Sequence, residues 1–282
     1  MSPRAGGSLI PALLVCGVLA QPAPRGTAAS TEARVSFAVI GDFGTGTSQQ
    51  YELARVMTAV HARSPYDMVL TVGDNIYGGW SPRAVVQRFE MPYGPLLDDG
   101  VTFFASLGNH DAIQEKAYTK FNMQGQRYYT FQRSDTAFFA IDSNYLDPPQ
   151  LAWLRLALSA SNAPWKVAYF HHPLYSSGQR HGSAADLRGL LEPLFVQFGV
   201  QAVFSGHDHV YERVKPQKGV TYFVCGSSGQ LRRGNLDRRS PITAAGFDQE
   251  EAFLVVEVEA DRMTFRAISR TGSIVDSGEI RR

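Results

Sequence analysis

The sequence predicts an α/β protein in which two mixed β-sheets pack face to face with helices flanking them, in one domain over residues 35–282. Three observations lead there. Five short apolar runs, Val35 to Ile40, Met68 to Val72, Val101 to Ser106, Trp165 to Phe170 and Gln201 to Phe204, are rich in β-branched or aromatic residues and read as buried strands. Between them, apolar residues recur at helical spacing, as in helices that cover a sheet. From Val220 onward strand follows strand with short turns between, so a second, largely antiparallel sheet is expected.

The elements follow in chain order. Arg4, an apolar stretch from Leu9 to Ala20 and a Pro, Gly and Ala-rich stretch before Val35 read as a secretory signal and linker over residues 1–34, which predicts a secreted or periplasmic protein. The apolar run is shorter than the roughly 20 residues a membrane span needs, so no membrane anchor is expected. Cys16 follows the bulky Val15, which argues against lipidation there; removal of the signal leaves Cys225 alone, a core thiol with no disulfide partner. Leu53, Val56, Met57 and Val60 form one helical face, and Leu187, Leu190, Leu191 and Leu194 another. Ser81-Pro82 and Asp147-Pro148 are cap and first-turn pairs, the latter opening a helix through Leu151, Leu154 and Leu158. Thr221 to Cys225, Phe253 to Glu259, Met263 to Ile268 and Ile274 to Ser277 complete the strands.

With 282 residues, 44% of them hydrophobic, the chain can bury one sizeable core. A net charge of +1 leaves no broad basic field, so nucleic acid is not an expected partner. Arg232, Arg233, Arg238 and Arg239 make a local basic loop, read as solvated or substrate-facing surface.

Six of the seven histidines stand in or just after segments that place polar ligands at strand ends. These are Gly41-Asp42-Phe43-Gly44, Gly73-Asp74-Asn75-Ile76-Tyr77, Gly108-Asn109-His110-Asp111, His171-His172-Pro173 and Gly206-His207-Asp208-His209. A single Gly-Asp pair is ordinarily a turn, and a lone strand-end histidine ordinarily a core or surface residue. Five such segments in series are another matter, because ligands of open α/β sheets bind at the carboxyl ends of the strands, where all five can converge. Together they offer carboxylates from Asp42 and Asp74, a phenol from Tyr77, an amide oxygen from Asn109 and imidazoles from His171, His207 and His209. That O/N set suits two hard or borderline cations, whereas zinc-thiolate and EF-hand sites are excluded. His207 and His209, two apart, leave the same face of an extended segment and reach adjacent metals. One aspartate can bridge ions about 3.5–4 Å apart, as in two-metal hydrolytic sites. A tyrosine pKa of about 10 means that binding as phenolate near neutrality needs a strongly polarising cation, for which trivalent iron fits best.

The ordered segments resemble the calcineurin-like metallophosphoesterases over about Val35 to Gly229, and Gly73-Asp74-Asn75-Ile76-Tyr77 resembles the purple acid phosphatases. The resemblance implies the α/β/β/α sandwich of that superfamily. It also implies iron on Asp42, Tyr77 and His209, a divalent ion (Fe, Zn or Mn) on Asn109, His171 and His207, and Asp74 between them. His110 and His181 match the family's substrate-contacting histidines. His207 to Arg213 is similar to the plant-type enzymes, while the lack of an extra N-terminal β domain is similar to the small animal-type ones. Phe43 and Ile76 depart from the family's usual residues as packing changes. Of the adjacent pair, His171 is assigned the ligand role rather than His172. The connection from Asp142 to Asp147 is short where animal-type enzymes carry a long loop, so regulation by cleavage there is not expected.

The function these residues predict is hydrolysis of phosphate monoesters, small-molecule or peptide, by attack of a metal-bound hydroxide at acidic pH. His110 and His181 would hold the phosphate, and one of them would protonate the leaving alkoxide. A di-manganese or zinc phosphodiesterase or nucleotidase keeps the fold but makes little use of Tyr77. A non-catalytic secreted phosphate-binding protein would need neither two metals nor a candidate acid. Tyr175, Arg180, Tyr211, Arg213 and the loop after Gly229 are candidate pocket walls, and His61 has no assigned role.

Overall fold

The apolar runs read from the sequence form strands. In the computed structural model, which describes residues 1–3, 6 and 34–282, β1 spans Val35–Ile40, β2 Met68–Val72 and β3 Thr102–Ser106, and every residue of β1 and β2 is buried. The expected signal and linker, with Cys16, fall almost wholly outside the described residues. Helix α1 (Ser48–His61) joins β1 to β2; the Thr47 hydroxyl caps it by accepting the Gln50 N–H, and Leu53, Ala54 and Met57 are buried. Between β2 and β3, Ser81-Pro82 does start a helix, but α2 (Pro82–Val85) is a single turn. It runs through a π-helical turn (Val86–Glu90) into α3 (Met91–Asp98).

The strands β4 (Tyr129–Arg133) and β5 (Thr136–Ala140) form a hairpin. Helix α4 (Pro148–Ala160) then begins as the sequence predicts, with the Asp147 carboxylate accepting the Gln150 N–H and proline in the first turn. There follow β6 (Trp165–Tyr169), α5 (Ala185–Phe198), β7 (Ala202–Ser205), β8 (Tyr211–Val214), β9 (Thr221–Cys225), β10 (Thr243–Phe247), β11 (Ala252–Val258), β12 (Arg262–Ser269) and β13 (Ile274–Arg281).

One sheet has the order β13-β12-β11-β1-β2-β3 and the other β10-β8-β9-β7-β6-β5-β4. Both are mixed. The expectation of a separate antiparallel sheet after Val220 is corrected here. β11 pairs antiparallel with β1, Phe37 opposite Val256, so the last three strands extend the first sheet, while β9 lies parallel beside β7 in the second. The physical reason is that β2 and β3 occupy only one side of β1, whose other edge would otherwise present unpaired backbone groups in the core.

The two sheets meet through aromatic side chains. Phe37 of β1 sits edge-on to Phe138 of β5 (5.4 Å) and Phe204 of β7 (5.8 Å), and Phe223 of β9 meets Phe265 of β12 (5.1 Å). Leu154 and Leu158 of α4 and Leu191, Leu194 and Phe195 of α5 form a second core with Phe139, Ile141 and Phe170 of the second sheet. Helices α1 and α3 pack together at the first sheet. The result is a sandwich of helices, two sheets and helices, with the carboxyl ends of β1, β2, β3, β6 and β7 carrying the polar segments. Truncating the residue that joins the sheets, by Phe37→Ala, is expected to cost about 3–5 kcal/mol, measured as a lowered midpoint of urea unfolding.

Candidate metal centre

Each polar segment begins where a strand stops. Asp42 follows β1, Asp74 follows β2, Asn109 follows β3, His171 follows β6 and His207 follows β7. Asp42, Asp74 and His207 adopt left-handed backbone conformations (φ 54°, 53° and 70°), which turn the chain sharply so that each side chain points across the strand ends. Close approach needs glycine at two places: a Cβ on Gly108 would lie 2.2 Å from Asp74 Oδ1, and one on Gly206 would lie 2.4 Å from Asp42 Oδ2. His207 and His209 do not leave one face of an extended segment as expected. The chain must turn between β7 and β8, and the left-handed His207 brings both imidazoles to the site from a bend.

All seven predicted ligand side chains come together, in two groups. In one, the Tyr77 hydroxyl lies 3.1 Å from Asp42 Oδ1 and 3.4 Å from His209 Nε2, and His209 Nε2 is 3.4 Å from Asp42 Oδ1. In the other, His171 Nε2 lies 3.0 Å from Asn109 Oδ1 and 3.2 Å from His207 Nδ1. Asp74 stands between them, with Oδ2 2.8 Å from the Tyr77 hydroxyl and Oδ1 3.4 Å from His171 Nε2. Donor atoms of Asp42, Asp74 and His171, all buried, lie within 4.8 Å of one another. His172 instead has its Nδ1 2.9 Å from the Ser143 hydroxyl, with its ring 4.4 Å from that of His207. The exposed His110 ring lies 5.0 Å from that of Tyr77, and the exposed His181 ring 4.1 Å from that of His207, so both border the cluster. His61 pairs with Asp99 elsewhere.

The cluster has more lone pairs than protons. Val72 O can only accept, so His171 carries its proton on Nδ1 (2.9 Å) and turns a bare Nε2 lone pair toward Asn109 Oδ1. The single Tyr77 hydroxyl proton faces two carboxylates and an imidazole. Burial pushes the Asp42 carboxyl well above its usual range, opposed by His171 and aided by Asp74. Burial first, then the two aspartates, pushes the Tyr77 phenol far up. Burial lowers His207 to about 2, reinforced by His171, and lowers His209 to about 4, reinforced by the Arg232 charge. Imidazoles held neutral, beside carboxyl and phenol oxygens that this crowding keeps from ionising unless a cation offsets their charge, make a donor set that fits a metal centre.

Two carboxylates that the sequence reading did not single out hold the ligand loops. Asp111 accepts from the backbone N–H groups of Asn75, Ile76 and Gly108 and from the Asn75 side chain, at 2.6–3.1 Å. Burial, then Asp74, pushes its carboxyl up to about 8. Asp208, fully buried, accepts from the Ser176 hydroxyl (2.6 Å) and from the backbone N–H groups of His181 (3.3 Å) and Gly182 (3.0 Å). It thereby fixes the His181 loop to the His207–His209 bend. The available signal was position: Asp111 and Asp208 lie inside ligand segments. Of the candidate pocket walls, Tyr211 and Arg213 both bond Asp276 of β13, and Tyr175 bonds Glu192 of α5, so these three serve the scaffold. Arg232 is tied to the site through its backbone N–H, which donates to His209 O at 3.0 Å.

The calcineurin-like phosphoesterase family model matches residues 35–211, a stretch that includes every predicted site residue. The tartrate-resistant acid phosphatase type 5 of Homo sapiens is 25% identical over 285 residues, spanning 84% of this chain and 87% of that protein. Among solved structures, the purple acid phosphatase PPD1 from yellow lupin (Lupinus luteus) seeds superposes with a TM-score of 0.76 at 16% identity, over 89% of this chain and 54% of that one. GAP50, the anchor in the inner membrane complex of Plasmodium, gives 0.73 at 20% identity over 89% of each chain. At these identities the two structures speak for the fold alone.

The close approach at Gly108 is open to test. Gly108→Ala is expected to push Asp74 from its place and weaken metal retention by about 10–100-fold, read by competition with a chelator, while far-UV circular dichroism stays unchanged.

Proposed function

The chain belongs to the calcineurin-like phosphoesterase family and is a hydrolase of its metal-dependent kind; on that premise we propose that it is an exported acid phosphatase that cleaves phosphate monoesters. The observation that carries this reading is the pair of donor groups with Asp74 between them, in which the Tyr77 hydroxyl and the His171 Nε2 lone pair each face oxygen or nitrogen acceptors. Asp42, Tyr77 and His209 would hold trivalent iron, Asn109, His171 and His207 a divalent ion, and Asp74 would touch both. When bound, the ions supply Lewis acidity toward phosphoryl oxygens and acidify the attacking water.

The chain's own residues do the rest. His110 and His181, at the border of the cluster, hydrogen-bond the phosphoryl oxygens and orient the ester. The P–O bond to the alcohol breaks, and a protonated imidazole gives its proton to the departing oxygen. Burial holds His181 below the usual imidazole value, opposed by Asp208, so its protonated form is present at acidic pH and is lost as pH rises through that lowered value. An acid optimum follows for substrates that need the proton. Tyr77 favours the iron centre over a di-manganese or zinc diesterase, because a phenol held this high in pKa ionises only against a strongly polarising cation.

Two measurements test the reading. Protein purified with its metals is expected to show a broad visible absorbance band and about one iron per chain, lost in Tyr77→Phe. A colourless, active protein with two zinc or manganese ions would replace the iron assignment by the divalent one, and a metal-loaded protein that turns over neither monoesters nor diesters would leave the phosphate-binding reading. His181→Ala is expected to slow hydrolysis of glycerol 2-phosphate by about 100-fold and that of 4-nitrophenyl phosphate much less, because nitrophenolate departs without a proton. Equal losses on the two substrates would remove His181 from the acid role.

A further inference from the structure

The segment from Gly226 to Asp237 ties the ligand segments to the His181 loop. Its first part is pinned to the ligand side: the Ser228 N–H donates to Gly41 O (3.1 Å), that of Gln230 to Asp42 O (2.8 Å) and that of Arg232 to His209 O (3.0 Å). The approach is close, since a Cβ on Gly229 would lie 2.2 Å from Phe43 O. Its last part is pinned to the His181 side, where Asn235 O accepts the Gln179 N–H (2.8 Å) and the Asp237 N–H donates to Ser177 O (3.0 Å). Arg232 therefore stands between His209 and the loop of His181. Burial lowers both imidazoles, and the Arg232 charge lowers them further. The Arg232 guanidinium itself is unpaired. Arg127, Arg213, Arg238 and Arg270 are each matched with a carboxylate, but among the described residues Arg232 has neither an ion pair nor a side-chain hydrogen bond. Its Nη1 is buried without a partner; Nε and Nη2 also have none but are not buried, in a residue that is partly exposed. A guanidinium keeps its charge at any working pH, and leaving one unmet beside the site costs stability, so its retention there calls for an anion.

We propose that Arg232 is a substrate-contacting residue, whose Nε and Nη2 take a non-bridging phosphoryl oxygen and thereby favour monoesters over diesters. These two nitrogens form one edge of the planar fork, which matches phosphate oxygens in geometry as well as in charge. A monoester has three non-bridging oxygens and a diester two. The third oxygen, which a diester replaces by a second ester link, is the one assigned to Arg232. The inference rests on the phosphatase reading and deepens it by naming a residue that selects the substrate class.

The test compares the metal-loaded full chain with Arg232→Met and Arg232→Lys. Backbone groups anchor the segment, so both variants are expected to hold metal as the wild type does, measured by metal analysis. Inorganic phosphate, titrated calorimetrically, is expected to bind Arg232→Met about 10–100-fold more weakly, with Arg232→Lys between the two. The kcat/KM for 4-nitrophenyl phosphate should fall by a similar factor, and that for bis(4-nitrophenyl) phosphate by a smaller one, so that the preference for the monoester narrows. Unchanged phosphate affinity in Arg232→Met overturns the contact. Loss of metal from both variants also overturns it, making Arg232 a support of the His209 segment. Equal losses on the two esters overturn the selection between them. Absence of turnover on every ester, with phosphate binding that still depends on Arg232, overturns the phosphatase reading and the selection with it, while the anion contact stands.

Discussion

Two carboxylates buried at the end of one sheet, Asp42 and Asp74, set the terms for everything around them. Neither is accessible to water, so their charge has to be met by the protein or by what the protein holds. Asp42 Oδ2 accepts the His207 N–H from the opposite sheet at 2.9 Å, and Asp74 Oδ1 accepts the His110 N–H at 2.9 Å. These bonds tie the loop after β7 to β1 and the loop after β3 to β2. His171, from the second sheet, returns the connection by donating to Val72 O of the first. The strand ends of both sheets are thus cross-linked at the same place where the ligand atoms gather.

That arrangement is strained and requires a rigid base. Three candidate ligand residues sit in left-handed backbone conformations that few non-glycine residues adopt, and glycines stand where any side chain would collide with a carboxylate. The aromatic layer around Phe37 keeps the sheets in register behind the site, and Asp111 and Asp208 gather backbone N–H groups from neighbouring loops in front of it. The candidate ligands therefore stand at or just past strand ends, while the histidines that would touch substrate lie on loops. This division lets the chemistry stay constant while substrate choice changes with loop sequence.

Residues that looked alike in sequence were sorted by their surroundings. His171 and His172 are adjacent, yet one is buried with its tautomer fixed by a backbone carbonyl and the other faces a serine hydroxyl. Arg213 and Arg232 were both candidates for a pocket wall; the first is spent on Asp276, and the second is bonded through its backbone to His209. Nothing local distinguishes the members of either pair, because the deciding partners lie 23 (232 − 209) to 99 residues away in the chain.

The sequence by itself determined the strands that lead into the site, the helix starts at Ser81 and Asp147, and the identity of all seven candidate ligands. Each of these is a local signal: an apolar run, a cap with proline, or a polar group directly after a strand. It did not determine that the last three strands would extend the first sheet, that the His207–His209 segment would bend, or that Asp111 and Asp208 would hold the loops. Those depend on which edges pair and which loops meet, and such contacts join residues far apart in the chain, where periodicity carries no information. Only tertiary structure could decide them.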